Sequence, residues 1–261
     1  MAPPRTTALT AKDLDRLRVV LVATRNPLNI GAAARAMSNF GVMRLRVVNP
    51  YEAAFREAKS AVGASGLLAK AEQYDQVAEA VDDCKLIVGT TVAGDRDLQH
   101  RLVNLEAGAL AIKRQLKSGP VAILFGSERY GLSNEELSHC HWLMRIPTRE
   151  EHGSMNLGQA VAVCLYELIR GRKAPAKTAP TQKSAEKETT VATSKQVERL
   201  TQILLDVLRT SGYVQPHAIS AEEKLRRLVR RMQLNTNDVE VLVGMMRQIA
   251  WKVGATDKDK Q

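Results

Sequence analysis

Five short runs rich in β-branched residues constrain this chain most. RVVLVAT (18–24), RLRVVN (44–49), KLIVGTT (85–91), VAILFG (121–126) and LMRIP (143–147) are nearly continuous in apolar side chains. Residues 29–40, 52–61, 74–82, 104–117 and 133–139 lie between or beside them and repeat apolar residues at helical spacing. A strand that is apolar on both faces must be covered on both faces, and only intervening helices can do that. The pattern predicts an α/β fold, a parallel sheet with helices on both sides. Ligands of such sheets bind beyond the carboxyl ends of the strands. The loops starting at Thr24, Thr90, Gly126 and Ile146 are therefore expected around one site.

Residues 171–194, GRKAPAKTAPTQKSAEKETTVATS, hold almost no large apolar side chain. Such a segment cannot bury enough surface to offset the entropy of ordering it. It reads as a flexible basic linker between a domain at 1–170 and a smaller one at 195–261. The second domain reads as three helices, with Leu200, Ile203, Leu204 and Leu208 at helical spacing and Asn237 as the start of the last. The net charge is +10, and the excess is uneven: 171–194 hold 5 Lys/Arg against 2 Asp/Glu, and 195–261 hold 12 against 8. A basic tail points to a polyanion such as nucleic acid, although solubility alone would also explain it. KLRRLVRR (224–231) places Arg226, Arg227, Arg230 and Arg231 off its apolar side, either as a solvated face or as a phosphate-contacting one. No run of about 18 apolar residues exists, and the first residues lack an apolar signal-peptide core, so neither a membrane span nor secretion is expected. Three cysteines, Cys84, Cys140 and Cys164, fit a reducing cytoplasm better than a disulfide framework.

Familiar phosphate-binding signatures are missing. Gly126 and Gly131 have the glycine spacing of a P-loop, but Leu132-Ser133 follow in place of Lys-Ser/Thr. His139, Cys140 and His141 have no second ligand cluster at metal spacing, so no metal site is expected. Three other stretches stand out. NPLNIGAAARAMSNFG (26–41) sets Arg35 among Gly31, Ala32, Ala33, Ala34 and Ala36, which would let a partner surface approach closely; alone it also reads as a tightly packed helix with an exposed arginine. ILFGSERYGLSNEEL (123–137) holds Glu128 in a short loop closed by Gly131, and Ser133 with Glu136 forms a capping box for the next helix. IPTREEHGSMNLGQAVAVCLYEL (146–168) crowds Gly153, Ser154, Met155 and Asn156 just before an apolar helix, where Ser154 can serve as the cap.

In this order, the three stretches resemble the motifs of the SPOUT superfamily of RNA methyltransferases, in its ribose 2′-O-methylating branch. The likeness covers most of 18–170. The helical tail, LRRLVRRMQLNTNDVEVLVGMMRQIAW, resembles the domain appended in members that act on the tRNA anticodon loop. This resemblance implies a sheet whose C-terminal part is threaded as a trefoil knot, S-adenosyl-L-methionine as cofactor, tRNA as substrate with nucleotide 32 as the target ribose, and a homodimer. It also carries roles onto positions. Thr90, Thr91, Val92, Gly126, Ile146, Gly153, Ser154, Met155 and Leu157 match cofactor-binding positions. Arg35 matches the proposed catalytic arginine, with Asn29, Glu128, Ser154 and Asn156 as the polar residues that orient it and the motif loops. Gly158, Ala160 and Ala162 are expected to allow close helix packing against the other subunit.

One departure matters. After Thr91 the loop reads VAGDRDLQHR, where relatives carry a compact basic run, and Arg96 between Asp95 and Asp97 is the best match to a substrate-contacting arginine. Alternatives remain at this stage: another tRNA or ribosomal RNA site, a non-catalytic RNA-binding protein on the same fold, or a small-molecule enzyme that leaves the basic tail unexplained.

Overall fold

The computed structural model describes residues 9–60, 65–91, 99–149, 154–170, 191–214 and 219–258. Seven parallel strands form one sheet: β1 (Leu17–Val22), β2 (Arg44–Val48), β3 (Glu72–Tyr74), β4 (Leu86–Thr90), β5 (Leu102–Asn104), β6 (Val121–Phe125) and β7 (Trp142–Arg145). Their order is β3-β2-β1-β6-β4-β7-β5. All five predicted strands are present. The two missed ones, β3 and β5, lie at the sheet edges and are three residues long, too short to carry an apolar run. Because side chains alternate across a strand, Leu17, Val19 and Leu21 enter one core while Val20 and Val22 enter another.

The first core is covered by α2 (Pro27–Asn39), α3 (Glu52–Ser60), α4 (Ser65–Ala69), α6 (Leu105–Leu116) and α8 (Leu157–Ile169). The opposite core is covered by α5 (Val77–Ala80) and α7 (Asn134–Ser138). A short α1 (Ala11–Leu14) precedes β1. The helix predicted at 74–82 shrinks to α5 because Tyr74 pairs as the end of β3. Ala33, Ala34 and Met37 of α2 are fully buried. Gly158 of α8 sits against Ala32, where an added Cβ would lie 2.5 Å from the alanine Cβ. Gly158 thus packs within this chain, and Ala160 borders a cavity.

The helical module comprises α9 (Ser194–Thr210), α10 (Ile219–Arg231) and α11 (Thr236–Lys258) around Val197, Leu200, Val229, Val239 and Val243. Residues just ahead of α9 join its packing. Val191 bridges to Asn235, Ala192 is buried, and Thr193 closes a capping box on α9. The start of α11 also moves: Asn235, not Asn237, accepts the Asp238 N–H at 2.9 Å.

The module is docked on the sheet domain. The N–H groups of Ser194 and Lys195 donate to the carbonyls of Cys84 (2.8 Å) and Asp82 (3.0 Å). Arg226 donates to Ser138 at 3.0 Å and pairs with Glu198 and Glu222 at 3.1 and 2.8 Å. Arg230 donates to Ser194 at 3.1 Å and pairs with Glu198 at 3.3 Å. Arg226 and Arg230 are only 6% and 2% exposed, and this burial sets both against the phosphate-contacting reading. Arg227 is largely covered as well, reaching Gln99 at 2.9 Å, so of the four arginines Arg231 is the exposed one.

Candidate active site

The loop after β6 owes its shape to two glycines. Gly131 has φ +66°, a region that side chains with a Cβ rarely occupy. A Cβ on Gly126 would fall 2.1 Å from the Gly131 carbonyl carbon. Ser127 and Gly131 then exchange two main-chain hydrogen bonds of 3.2 and 2.9 Å. Ser133 and Glu136 form the predicted capping box and start α7 directly behind the loop.

Glu128 projects from this loop to the beginning of α2. Its carboxylate accepts from the N–H groups of Arg25 and Asn26 at 3.3 Å each and from Asn29 Nδ2 at 3.1 Å. Burial pushes the carboxyl up, but the bond from Asn29 and the main-chain donors outweigh it and hold it below its ordinary value. Asn29 Oδ1 in turn accepts from Asn156 Nδ2 at 2.7 Å. Asn156 is the N-cap of α8, its Oδ1 accepting from Gly158 and Gln159. The cap is therefore Asn156 and not Ser154, because the helix begins two residues later than a Ser154 cap requires. One chain of side chains, Glu128–Asn29–Asn156, ties together segments about a hundred residues apart in sequence.

Beside this tie lies a cavity of about 340 Å³ at the carboxyl ends of β4, β6 and β7. Phe125, Leu132, Met144, Ile146, Leu157 and Ala160 supply apolar walls, and Thr90, Thr91, Glu128, Thr148 and Ser154 supply polar groups. Thr90 Oγ1 donates to the Leu124 carbonyl at 2.8 Å and the Thr91 N–H to the Met144 carbonyl at 3.0 Å, so the cavity floor is anchored across three strands. Of the positions expected to hold a cofactor, Thr90, Thr91, Gly126, Ile146, Ser154, Met155 and Leu157 line the cavity. Val92 and Gly153, and the expected substrate residue Arg96, lie outside the described residues. Thr24 is fully buried and does not reach the cavity; its loop contributes instead the Arg25 and Asn26 amides. Arg35 is exposed on α2 and is not among the lining residues. Ser127, Arg129 and Tyr130 line the mouth and were overlooked, although they flank Glu128 in the same loop.

His141 and Cys140 of the SHCHW stretch and Cys164 of α8 serve packing. His141 Nδ1 accepts the Ile87 N–H at 3.0 Å, and burial pushes its pKa down to about 3. Burial likewise pushes the Cys140 and Cys164 thiols up to about 12, which leaves them as core side chains.

A wholly parallel seven-stranded sheet with its cavity at the strand carboxyl ends defines an α/β enzyme-type domain that binds a small ligand in loops. Residues 16–166 match the SpoU rRNA Methylase family, and the chain belongs to that family. It is 33% identical over 246 residues to an uncharacterized tRNA/rRNA methyltransferase from Haemophilus influenzae, covering 94% of this chain and 99% of the relative. It is 35% identical over 238 residues to the tRNA (cytidine/uridine-2′-O-)-methyltransferase TrmJ from Cronobacter sakazakii, covering 90% and 96%. Among solved structures, TrmJ from Z. mobilis ZM4 superposes with a TM-score of 0.75 at 30% identity, covering 89% of this chain and 98% of that one.

Proposed function

We propose that this protein transfers a methyl group from S-adenosyl-L-methionine to a ribose 2′-hydroxyl in the anticodon loop of tRNA, at nucleotide 32. The observation that carries the reading is the Glu128–Asn29–Asn156 chain beside the cavity, which joins all three motif segments at one mouth. Support from similarity comes from relatives named for cytidine/uridine 2′-O-methylation that match along nearly their whole length. The cavity suits the cofactor: its size lies in the range of small-ligand sites, with flat apolar walls and a few hydroxyl and main-chain groups to fix orientation. When bound, S-adenosylmethionine supplies an activated methyl on a sulfonium. What the chain itself must supply is orientation of the reacting groups and stabilisation of charge on the attacking oxygen. Thr90, Thr91, Val92, Gly126, Ile146, Gly153, Ser154, Met155 and Leu157 hold the cofactor, while Glu128, Asn29 and Asn156 keep the three loops in register. Arg35 fixes an RNA phosphate beside the target and stabilises the developing alkoxide, and that phosphate accepts the proton; a guanidinium stays protonated and so has no lone pair to act as base.

The same reading includes a homodimer. Arg35 stands six residues beyond Asn29, so it lies about 9 Å further along α2 and about 120° around it from the Asn29 side. That separation within one chain favours delivery of Arg35 to a partner's cavity. The strand order supports a knotted C-terminal part, since β7 enters between two strands formed before it. Among the described residues no helix is long and apolar enough to cross a membrane, and a cytoplasmic tRNA-modifying enzyme is the setting we propose. Arg231, Arg96 and the basic tail are the proposed RNA-contacting groups outside the cavity.

Incubation with total RNA, tRNA and ribosomal RNA together, and labelled S-adenosylmethionine, followed by mapping of the methylated nucleotide, tests the proposal. Label at nucleotide 32 supports it. Label confined to ribosomal RNA supports the reading that the family description favours, and no cofactor binding by calorimetry removes the enzyme.

A further inference from the structure

The loop that carries Glu128 also presents Arg129 and Tyr130 at its tip. Both are exposed, Tyr130 to 68%, and both line the mouth of the cavity. Exposure alone says little, since single apolar side chains on a surface are ordinary. The way this ring is held is more informative. The Tyr130 N–H donates to Ser127 Oγ at 3.3 Å, inside the pair of main-chain bonds between Ser127 and Gly131. Glu128, two residues before it, is tied to α2. The ring is therefore borne on a backbone fixed at both ends. The Arg129 guanidinium lies over it, 5.0 Å from the ring centroid. A cation over one face leaves the other face for a flat ligand and adds positive charge for a phosphate.

From this geometry we infer that Tyr130, backed by Arg129, is the platform on which the base of the target nucleotide stacks while its ribose faces the cavity. The inference rests on the methyl-transfer reading above. Unpaired RNA bases are recognised largely by stacking on aromatic rings and guanidinium planes. Stacking uses the face of a base and not its hydrogen-bonding edge, so such a platform accepts either pyrimidine. The exposed Arg25, whose own N–H is bound to Glu128, adds a second positive charge on the same rim.

The test crosses two proteins with two RNAs. Full-length wild type and Y130A are each given an RNA carrying the mapped target nucleotide, or the same RNA with an abasic ribose there. RNA affinity and single-turnover rate are measured at saturating S-adenosylmethionine, and cofactor affinity is measured separately. Loss of one stacked base predicts that Y130A weakens binding of the intact RNA by about 5- to 150-fold, with cofactor affinity changed less than about twofold. Y130F, which keeps the ring, should recover most of that loss. On the abasic RNA, wild type and Y130A should bind alike. Equal loss on both RNAs, or a loss of cofactor affinity as large as the loss of RNA affinity, overturns the platform. If wild type methylates the RNA and Y130A matches it, the platform alone fails. If wild type methylates no RNA, both the platform and the function reading fail.

Discussion

At the scale of single residues, Glu128 and Asn156 do different work from the positions around them. Glu128 is exposed, so its hydrogen bonds contribute little to stability, about 1 kcal/mol or less. Its value lies in placing one loop against α2. E128Q keeps the shape but sets an amide N–H₂ where one oxygen must accept. It should lower single-turnover methylation at least tenfold while shifting the denaturation midpoint little, as a parallel kinetic and urea titration would show. Asn156 has two tasks, capping α8 and bonding Asn29. N156A should therefore cost about 1 kcal/mol from the lost cap and also reduce turnover. A capping residue such as Ser at 156 should restore the stability without restoring the rate. Glu128 and Asn156 were legible in the sequence as members of motif stretches. The Asn29 relay between them was not, because no local pattern reveals a hydrogen bond across about a hundred residues.

At the scale of elements, the decisive contact is α2 against α8. Gly158 lets the two helices meet over Ala32, which sets the distance between Asn29 and Asn156. G158A should destabilise the protein by about 1–3 kcal/mol through overpacking, read as a lower midpoint in chemical denaturation. A32G placed in the same background should return part of that loss, and a failure to do so would mean that the strain lies elsewhere. The strands β1, β2, β4, β6 and β7 were legible because burial on both faces forces continuous apolar runs. The edge strands β3 and β5 were not, because a three-residue strand at an edge needs only one neighbour and little apolar surface.

At the scale of the whole molecule, the helical module meets the sheet domain through α9 and α10, and Glu198 ties those two helices together. Burial pushes the Glu198 carboxyl up, but Arg226 and Arg230 outweigh it and hold it below its ordinary value of 4.5. A carboxylate with a lowered pKa in the folded state stabilises above the unfolded value. That contribution is lost as pH falls through the folded one. The α9–α10 pairing should therefore loosen in acid below about pH 4.5, which hydrogen exchange at the amides of α9 and α10 would report. E198A leaves the buried Arg230 without its carboxylate and Arg226 with Glu222 alone, and should cost about 3 kcal/mol. Replacing Glu198, Arg226 and Arg230 together with apolar residues should cost much less. The four arginines of α10 looked alike in the sequence. Only packing separates Arg226 and Arg230, which face the seam, from Arg231, which faces solvent.

The sequence by itself determined the class of fold, the strands of the sheet interior, the α7 cap and the strand ends at which the cavity forms. Each of these follows from local requirements: two-faced burial, turn glycines and hydrogen-bond partners three residues away. The tertiary structure alone decided which asparagine caps α8, where Gly158 packs, which arginines are buried, and that the helical module is fixed to the sheet domain. Those outcomes depend on which surfaces meet, and side chains of the same chemistry take opposite roles according to whether a partner or water lies against them.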